Sequence, residues 1–178
     1  MSNLSQNQNQ FNQTPLIGQV AYQPNVDTQS CQINPSTAAA AGTIVAGCAV
    51  KLIALAGPQI IVDVCSGPSD GPVFGVIAYN PRKNSYVAMD MVEVAGELNV
   101  LFLKSAAAIN RGARVSITNP SVATNDATVA ADTTAGDYTV GYAEGQASAA
   151  GQIIRVKIKP ALNLVPSTTA TCTSFVSP

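Results

Sequence analysis

The sequence predicts an all-β protein, a compact β-barrel or sandwich with extended N- and C-terminal arms. Three observations predict it. Short runs with apolar residues at every second position recur through the middle of the chain, the period of a half-buried strand. Turn sequences separate them, at Gly57-Pro58, Gly67-Pro68, Asp70-Gly71-Pro72, Asn80-Pro81 and Asn119-Pro120. A pattern of small residues also returns in the second half at nearly the same offsets. Helix is expected over less than roughly a fifth of the chain, below the share usual for globular domains, with single turns near Ser105–Ile109 and Gln146–Ala150.

Residues 1–42 read as an N-terminal arm. Met1 to Gln13 is dominated by Asn, Gln and Ser, and Asp27 is the only charge before Lys51. So little apolar surface cannot drive folding alone. Leu4, Phe11, Leu16, Ile17, Val20 and Tyr22 stand out as apolar anchors spaced along this polar strand. They are the candidate docking residues, since such a segment can add a strand to an exposed sheet edge. The core is expected over 43–160. Its strands fall at Ala49–Leu55, Gln59–Val64, Val73–Ala78 and Met91–Ala95, then Leu98–Leu103, Ala113–Thr118, Tyr138–Ala143 and Gln152–Lys159. The last alternates most cleanly, with Ile154, Val156 and Ile158 on one face and Arg155, Lys157 and Lys159 on the other. Val76, Val92, Val100, Val115, Ile117, Ile154 and Val156 are the expected core. Residues 161–178 form a C-terminal arm without a single charge.

Composition narrows the function. At 178 residues the chain suffices for one domain with its own core. Only 11% of residues are charged while 47% are apolar, and nine basic against ten acidic side chains leave a net charge of −1. No long-range field gathers nucleic acid or an anionic membrane. Net charge near zero also favours association, so partners are expected to cover much of the surface. The chain has no His, which removes Ser-His and Cys-His nucleophile pairs and any mixed Cys/His zinc site. Cys31, Cys48, Cys65 and Cys172 lack C-x-x-C spacing, and the N-terminus has no basic, apolar leader pattern. They read as reduced, small apolar side chains. The apolar stretch Ala38–Val62 is broken by Lys51 and Pro58 and does not span a membrane.

The search for chemistry comes back empty. There is no G-x-S-x-G elbow and no phosphate-binding glycine loop. Asp90, Glu93 and Glu97 are neighbours in sequence, yet they read as the flanks and exposed face of one strand. Asp126, Asp132 and Asp137 lie in a Thr/Ala/Gly loop without EF-hand spacing. Arg82-Lys83 and Arg111/Arg114 are small basic groups with no interleaved aromatics. The expectation is a protein that is not an enzyme, with no catalytic residue, cofactor, metal, nucleic-acid partner or membrane.

The repeat is specific enough to carry a reading. Gly47-Cys-Ala-Val50-Lys-Leu52 precedes Phe74-Gly75-Val-Ile-Ala78, and Gly112-Ala-Arg-Val115-Ser-Ile117 precedes Val140-Gly141-Tyr-Ala143. The glycines are 28 residues apart in one unit (47 to 75) and 29 in the other (112 to 141). Each unit closes on an alternating strand, Met91-Val-Glu-Val94 or Ile154-Arg-Val-Lys-Ile158. A period of about 65 residues is too long for a solenoid and suits a barrel built by duplication.

In these motifs, with Asp90 before Met91, Gly96 after it, Ile109-Asn-Arg ahead of Gly112 and Gly151 ahead of Ile154, the chain resembles the capsid decoration, or cement, proteins of tailed bacteriophages. The resemblance covers about residues 43–160; the long arms depart from the family's short core. It implies a β-barrel on the capsid exterior, often a homotrimer, that clamps neighbouring subunits of the major capsid protein. It implies a virion location after assembly in the bacterial cytoplasm, and for the six arm anchors a capsid-binding role. A tail, fibre or head-fibre protein is the other structural class with this low charge and β content.

Overall fold

In the first unit, strand-forming runs meet turns that only certain residues allow. The computed structural model describes residues 15–22, 28–39, 44–83, 85–118, 128–132, 134 and 136–162. After β1 (Val20–Tyr22) come β2 (Thr28–Ile33), β3 (Ala49–Ala56), β4 (Gln59–Val64), β5 (Gly75–Ile77) and β6 (Met91–Ala95). The last five of these close into a barrel in the order β2-β4-β3-β5-β6. The β2–β4 contact is parallel and the other four are antiparallel.

The second half repeats the plan. Its strands are β7 (Val100–Ser105), β8 (Arg114–Ile117), β9 (Thr128–Ala131), β10 (Tyr138–Ala143) and β11 (Ile153–Leu162). They run β7-β11-β10-β8-β9, and β9 pairs again with β7, so this ring closes too. Here β7–β9 is the parallel contact and the rest are antiparallel. Each of β2 to β6 thus has its counterpart in β7 to β11, in order. The protein is all-β, with no helix among the described residues.

The match extends to single hydrogen bonds. Gly47 N–H donates to the Ile77 carbonyl at 2.8 Å, and Gly112 N–H to Ala143 at 2.7 Å. Ile77 N–H returns to Cys48 at 2.9 Å, as Ala143 N–H returns to Ala113 at 2.9 Å. The repeated glycines follow from this geometry. Gly47 and Gly112 have φ of 90° and 84°, and each is the third residue of a turn closed by Cys48 N–H to Val45 or Ala113 N–H to Asn110. Positive φ at that place in a turn favours glycine. Gly75 and Gly141 answer a different demand. A Cβ at Gly75 would sit 2.6 Å from the Ala95 carbonyl oxygen, and one at Gly141 would sit 1.9 Å from that of Lys157.

The interiors follow the alternation. Cys31, Ile33, Val50, Val62, Ile77, Val92 and Val94 fill the first barrel, together with Ile44 and Tyr86. Leu101, Leu103, Val115, Val140, Ile154, Val156 and Ile158 fill the second. Ala49, Cys65, Val73, Val76 and Ala95 of the first unit belong to that second cluster, so one apolar mass runs across the junction. All seven core residues expected from sequence are buried.

Three strands differ from expectation. β2 lies within residues 1–42, read as an arm, yet it is hydrogen-bonded between β4 and β6. Only Cys31 and Ile33 of its six residues are buried, so its polar composition hid it. β1 lies in the same stretch, and β9, with Val129 alone buried, lies in the Thr/Ala loop. The single helical turns expected at Ser105–Ile109 and Gln146–Ala150 are instead bends that pair through an Ile109–Ala147 bridge. Duplication was expected to build one barrel; each unit closes by itself because β2 and β7 each supply the parallel closing strand.

Candidate docking surface

Leu4 and Phe11 lie outside the described residues. Leu16, Ile17, Val20 and Tyr22 belong to a segment that lies on the protein's own sheet. Gln19 N–H donates to the Leu16 carbonyl, making a turn with Gly18 at φ 76°. Gly18 N–H donates to Phe102 at 2.7 Å and its carbonyl accepts from Tyr79 at 2.9 Å, while Phe102 N–H donates to Gln19 at 2.9 Å. The segment therefore spans both units, Tyr79 from the first and Phe102 from the second. β1 then continues antiparallel along β7. Val20 packs against the second core and Ile17 is half-buried. Leu16, at 46% exposure, faces water. Within the chain, this segment adds a strand to the edge of β7.

A larger apolar surface comes from the β3–β4 hairpin. Leu52, Ile53 and Leu55 are 44%, 45% and 69% exposed, and Ala54, Ala56, Gly57 and Pro58 are exposed with them. Met91 lies next to this surface, its Sδ 3.9 Å from the Gln59 amide nitrogen, and Met89 and Val87 are exposed nearby in sequence. Both strands of the hairpin and the Gly57-Pro58 turn between them are legible in the sequence, but not its exposure, which depends on how far β3 overreaches β5.

Of the acidic side chains singled out in the sequence, Asp90 is occupied locally, while Asp132 Oδ2 is buried without a hydrogen-bond partner among the described residues. Asp90 accepts from Val87 N–H at 2.7 Å and pairs with Lys83 at 2.8 Å. Its carboxyl lies below the usual carboxylate range, held there by Lys83 and then by the Val87 N–H. Glu93 and Glu97 are exposed, Glu93 on β6 and Glu97 in the turn after it. Asp132 N–H donates to Arg114 and its Oδ1 accepts from Thr134 N–H; Asp126 is outside the described residues. Among the described residues no three His, Cys, Asp or Glu side chains gather as a metal site. Arg155, Lys157 and Lys159 are exposed on the outer face of β11.

The three described cysteines are free and buried. Burial pushes the Cys31 thiol to about 11, with Glu93 adding to the shift, and Cys65 to about 12, with Asp70 the next cause. Thiols so far above neutrality stay protonated and act as packing groups. Cys48 and Cys65 line a cavity of about 10 Å³ with Ile117 and Thr118, where the two units meet. It has room for one water and none for a substrate.

No protein-family model matches the chain, and no curated protein matches it. Among solved structures it is similar to the head fiber gp8.5 N base of bacteriophage phi29, at 12% identity and a TM-score of 0.45, covering 76% of this chain and 95% of that one.

Proposed function

We propose that this chain is a structural protein of a bacteriophage virion, a decoration or cement protein that binds the head exterior and stabilises contacts between major capsid subunits. The observation that carries the reading is the order and spacing of the motifs that resemble that family. They fall on β3, β5 and β6 and return on the equivalent β8, β10 and β11. Low charge and an exposed apolar hairpin suit a surface made for other proteins. In this role the protein is not an enzyme, uses no cofactor or metal, and partners the major capsid protein and itself, as a homotrimer.

Stabilisation follows from linkage: a ligand of the assembled shell alone favours that shell according to occupancy and affinity. Several footholds on one chain raise affinity through effective concentration. Leu4, Phe11 and Leu16 supply such footholds ahead of the fold-bound Val20.

The test is co-sedimentation of the full chain with purified heads stripped of it, and with detached tails, followed by the heads' rupture temperature. Binding to heads with a raised rupture temperature is expected, changing little with salt because residues 1–26 carry no charged side chain. Removing residues 2–14 spares β1 and should weaken binding about tenfold or more, a loss of about 1.4 kcal/mol. Binding to tails and not to heads overturns the reading.

A further inference from the structure

In the second unit, strand register gathers charge and aromatic surface that the chain scatters along its length. Arg155, Lys157 and Lys159 stand at alternate positions of β11 and are exposed, about 6.6 Å from one to the next. Residues directly opposite in an antiparallel ladder share a face. Arg155 is paired with Phe102 of β7, and Lys157 with Tyr142 of β10. Tyr142 is paired in turn with Arg114 of β8, and Lys104 lies two positions beyond Phe102 on β7. Five of the chain's nine basic residues therefore lie on one sheet face, with a half-buried aromatic residue on each side of the central strand. Among the described residues Arg155, Lys157 and Lys159 form no ion pair. The carboxylates that adjoin them are Glu144, whose N–H donates to the Arg155 carbonyl, and Glu97, next to Leu98, whose N–H donates to Ile158.

The first unit shows that the fold itself does not call for this surface. Ser30 and Glu93 stand where the second unit has Phe102 and Arg155, and Val76 and Ala95 where it has Tyr142 and Lys157. Val76 and Ala95 are buried in the junction between the units. On the second unit the same place faces water, and packing a further unit there would bury Lys157 unpaired, which is costly.

We propose that this face of β7, β11 and β10 binds single-stranded nucleic acid. The cations of β11 follow the phosphates, while Phe102 and Tyr142 offer their rings to bases. An acidic peptide would need the cations alone. The rings add what bases require, a stacking platform about one strand spacing, or 4.8 Å, from each charge. Stacking accepts any base, so such a surface takes single strands without sequence preference. A net charge of −1 removes long-range attraction but not a local contact between three cations and three phosphates. The sequence hides the site because Phe102 and Tyr142 reach Arg155 and Lys157 only through strand pairing. This role goes beyond head binding and does not rest on it.

Fluorescence anisotropy of a labelled oligodeoxythymidylate of about 16 nucleotides, titrated with the full chain, tests this. Binding is expected in low salt, its log affinity falling against log salt with a slope of about −2 for three phosphates. Arg155→Ala with Lys157→Ala should weaken binding about tenfold or more and flatten the slope by about one unit. Phe102→Leu with Tyr142→Leu should weaken it about fivefold or more and leave the slope unchanged. Arg82→Ala, at an exposed cation of the first unit, should change neither. A second readout covers misfolding of the aromatic variants. The natural chain has no Trp, and its tyrosine emission should be quenched by the oligonucleotide as Tyr142 stacks. No binding in low salt overturns the proposal, as does a loss on Arg82→Ala equal to that of the β11 variant. A polyglutamate peptide that displaces the oligonucleotide at equal concentration assigns the face to an acidic protein and overturns it too. A duplex of the same length that binds as tightly likewise defeats the single-stranded reading. Binding that persists when the protein ignores phage heads supports the site and leaves only the head reading in default.

Discussion

At the scale of single residues, the repeated glycines have two distinct physical origins, and mutation should separate them. At Gly112 an added Cβ meets nothing within 4 Å, so the penalty of alanine is conformational only, from φ 84°. A left-handed L-residue costs roughly 1–2 kcal/mol. At Gly141 the added Cβ would lie 1.9 Å from the Lys157 carbonyl and 2.8 Å from Lys159 N. Neither backbone atom can rotate away, so β10 and β11 must separate. Gly112→Ala should therefore cost about 1–2 kcal/mol and Gly141→Ala more than about 4, the range that marks a disrupted core contact. Urea midpoints for the two variants check the order; equal losses would refute the steric account of Gly141. The protein also tolerates a non-glycine in this conformation. Met89 has φ 69° where the second unit uses Gly151 at 85°, and each donates its N–H to the end of the matching strand, Ile33 or Ser105.

At the scale of elements, two carboxylates hold loops in place. Burial pushes the Asp70 carboxyl up, but the Lys51 ammonium and the Ser66 N–H and hydroxyl outweigh it and leave it below the usual value. Asp90 is lowered as well, by Lys83 and the Val87 N–H. A carboxyl lowered on folding adds stability that is complete above its unfolded value, about 3.9, and is lost as pH falls through the folded one. Stability should be flat from pH 7 to about 5 and decline below about pH 4. The Asp70→Asn/Asp90→Asn double variant should start lower at pH 6 and decline less, measured by urea unfolding across that range. A parallel decline in both proteins would place the acid-sensitive groups elsewhere. How far each element could be read in the sequence follows from how much side-chain surface it buries. β4, β6 and β10 begin and end where the alternation of Ile, Val and Tyr predicts. β2 and β9 are held chiefly by backbone pairing to two neighbours, with Cys31, Ile33 and Val129 as their buried residues, so side-chain pattern could not reveal them. The arm anchors were legible as apolar residues, but the edge of β7 that receives Val20 and Tyr22 is a property of the folded sheet.

At the scale of the whole molecule, duplication poses the question of whether two closed barrels behave as one body. Each has its own hydrogen-bond ring, and two rings tied by a linker would unfold separately. Three features oppose that. The apolar cluster of the second unit includes Ala49, Cys65, Val73, Val76 and Ala95 from the first, nearly all of them under 4% exposed. Tyr138 N–H of β10 donates to the Pro68 carbonyl across the junction at 2.7 Å. Gly18 joins both units by its own N–H and carbonyl, and a Cβ there would meet Ala46 at 2.9 Å and the Ile77 carbonyl at 3.0 Å. Opening the junction would expose at least those five side chains with Val115, Ile154 and their neighbours, at about 25 cal/mol per Å² of apolar area. That exposure couples the two units, so melting should be a single transition with calorimetric and van't Hoff enthalpies in agreement. Gly18→Ala strains the strap at φ 76° and crowds it against the first unit. It should lower the melting temperature, and if the strap is the main coupling it should split the transition in two. Two transitions in the natural protein would mean that the shared cluster is only a contact, and that each barrel folds on its own.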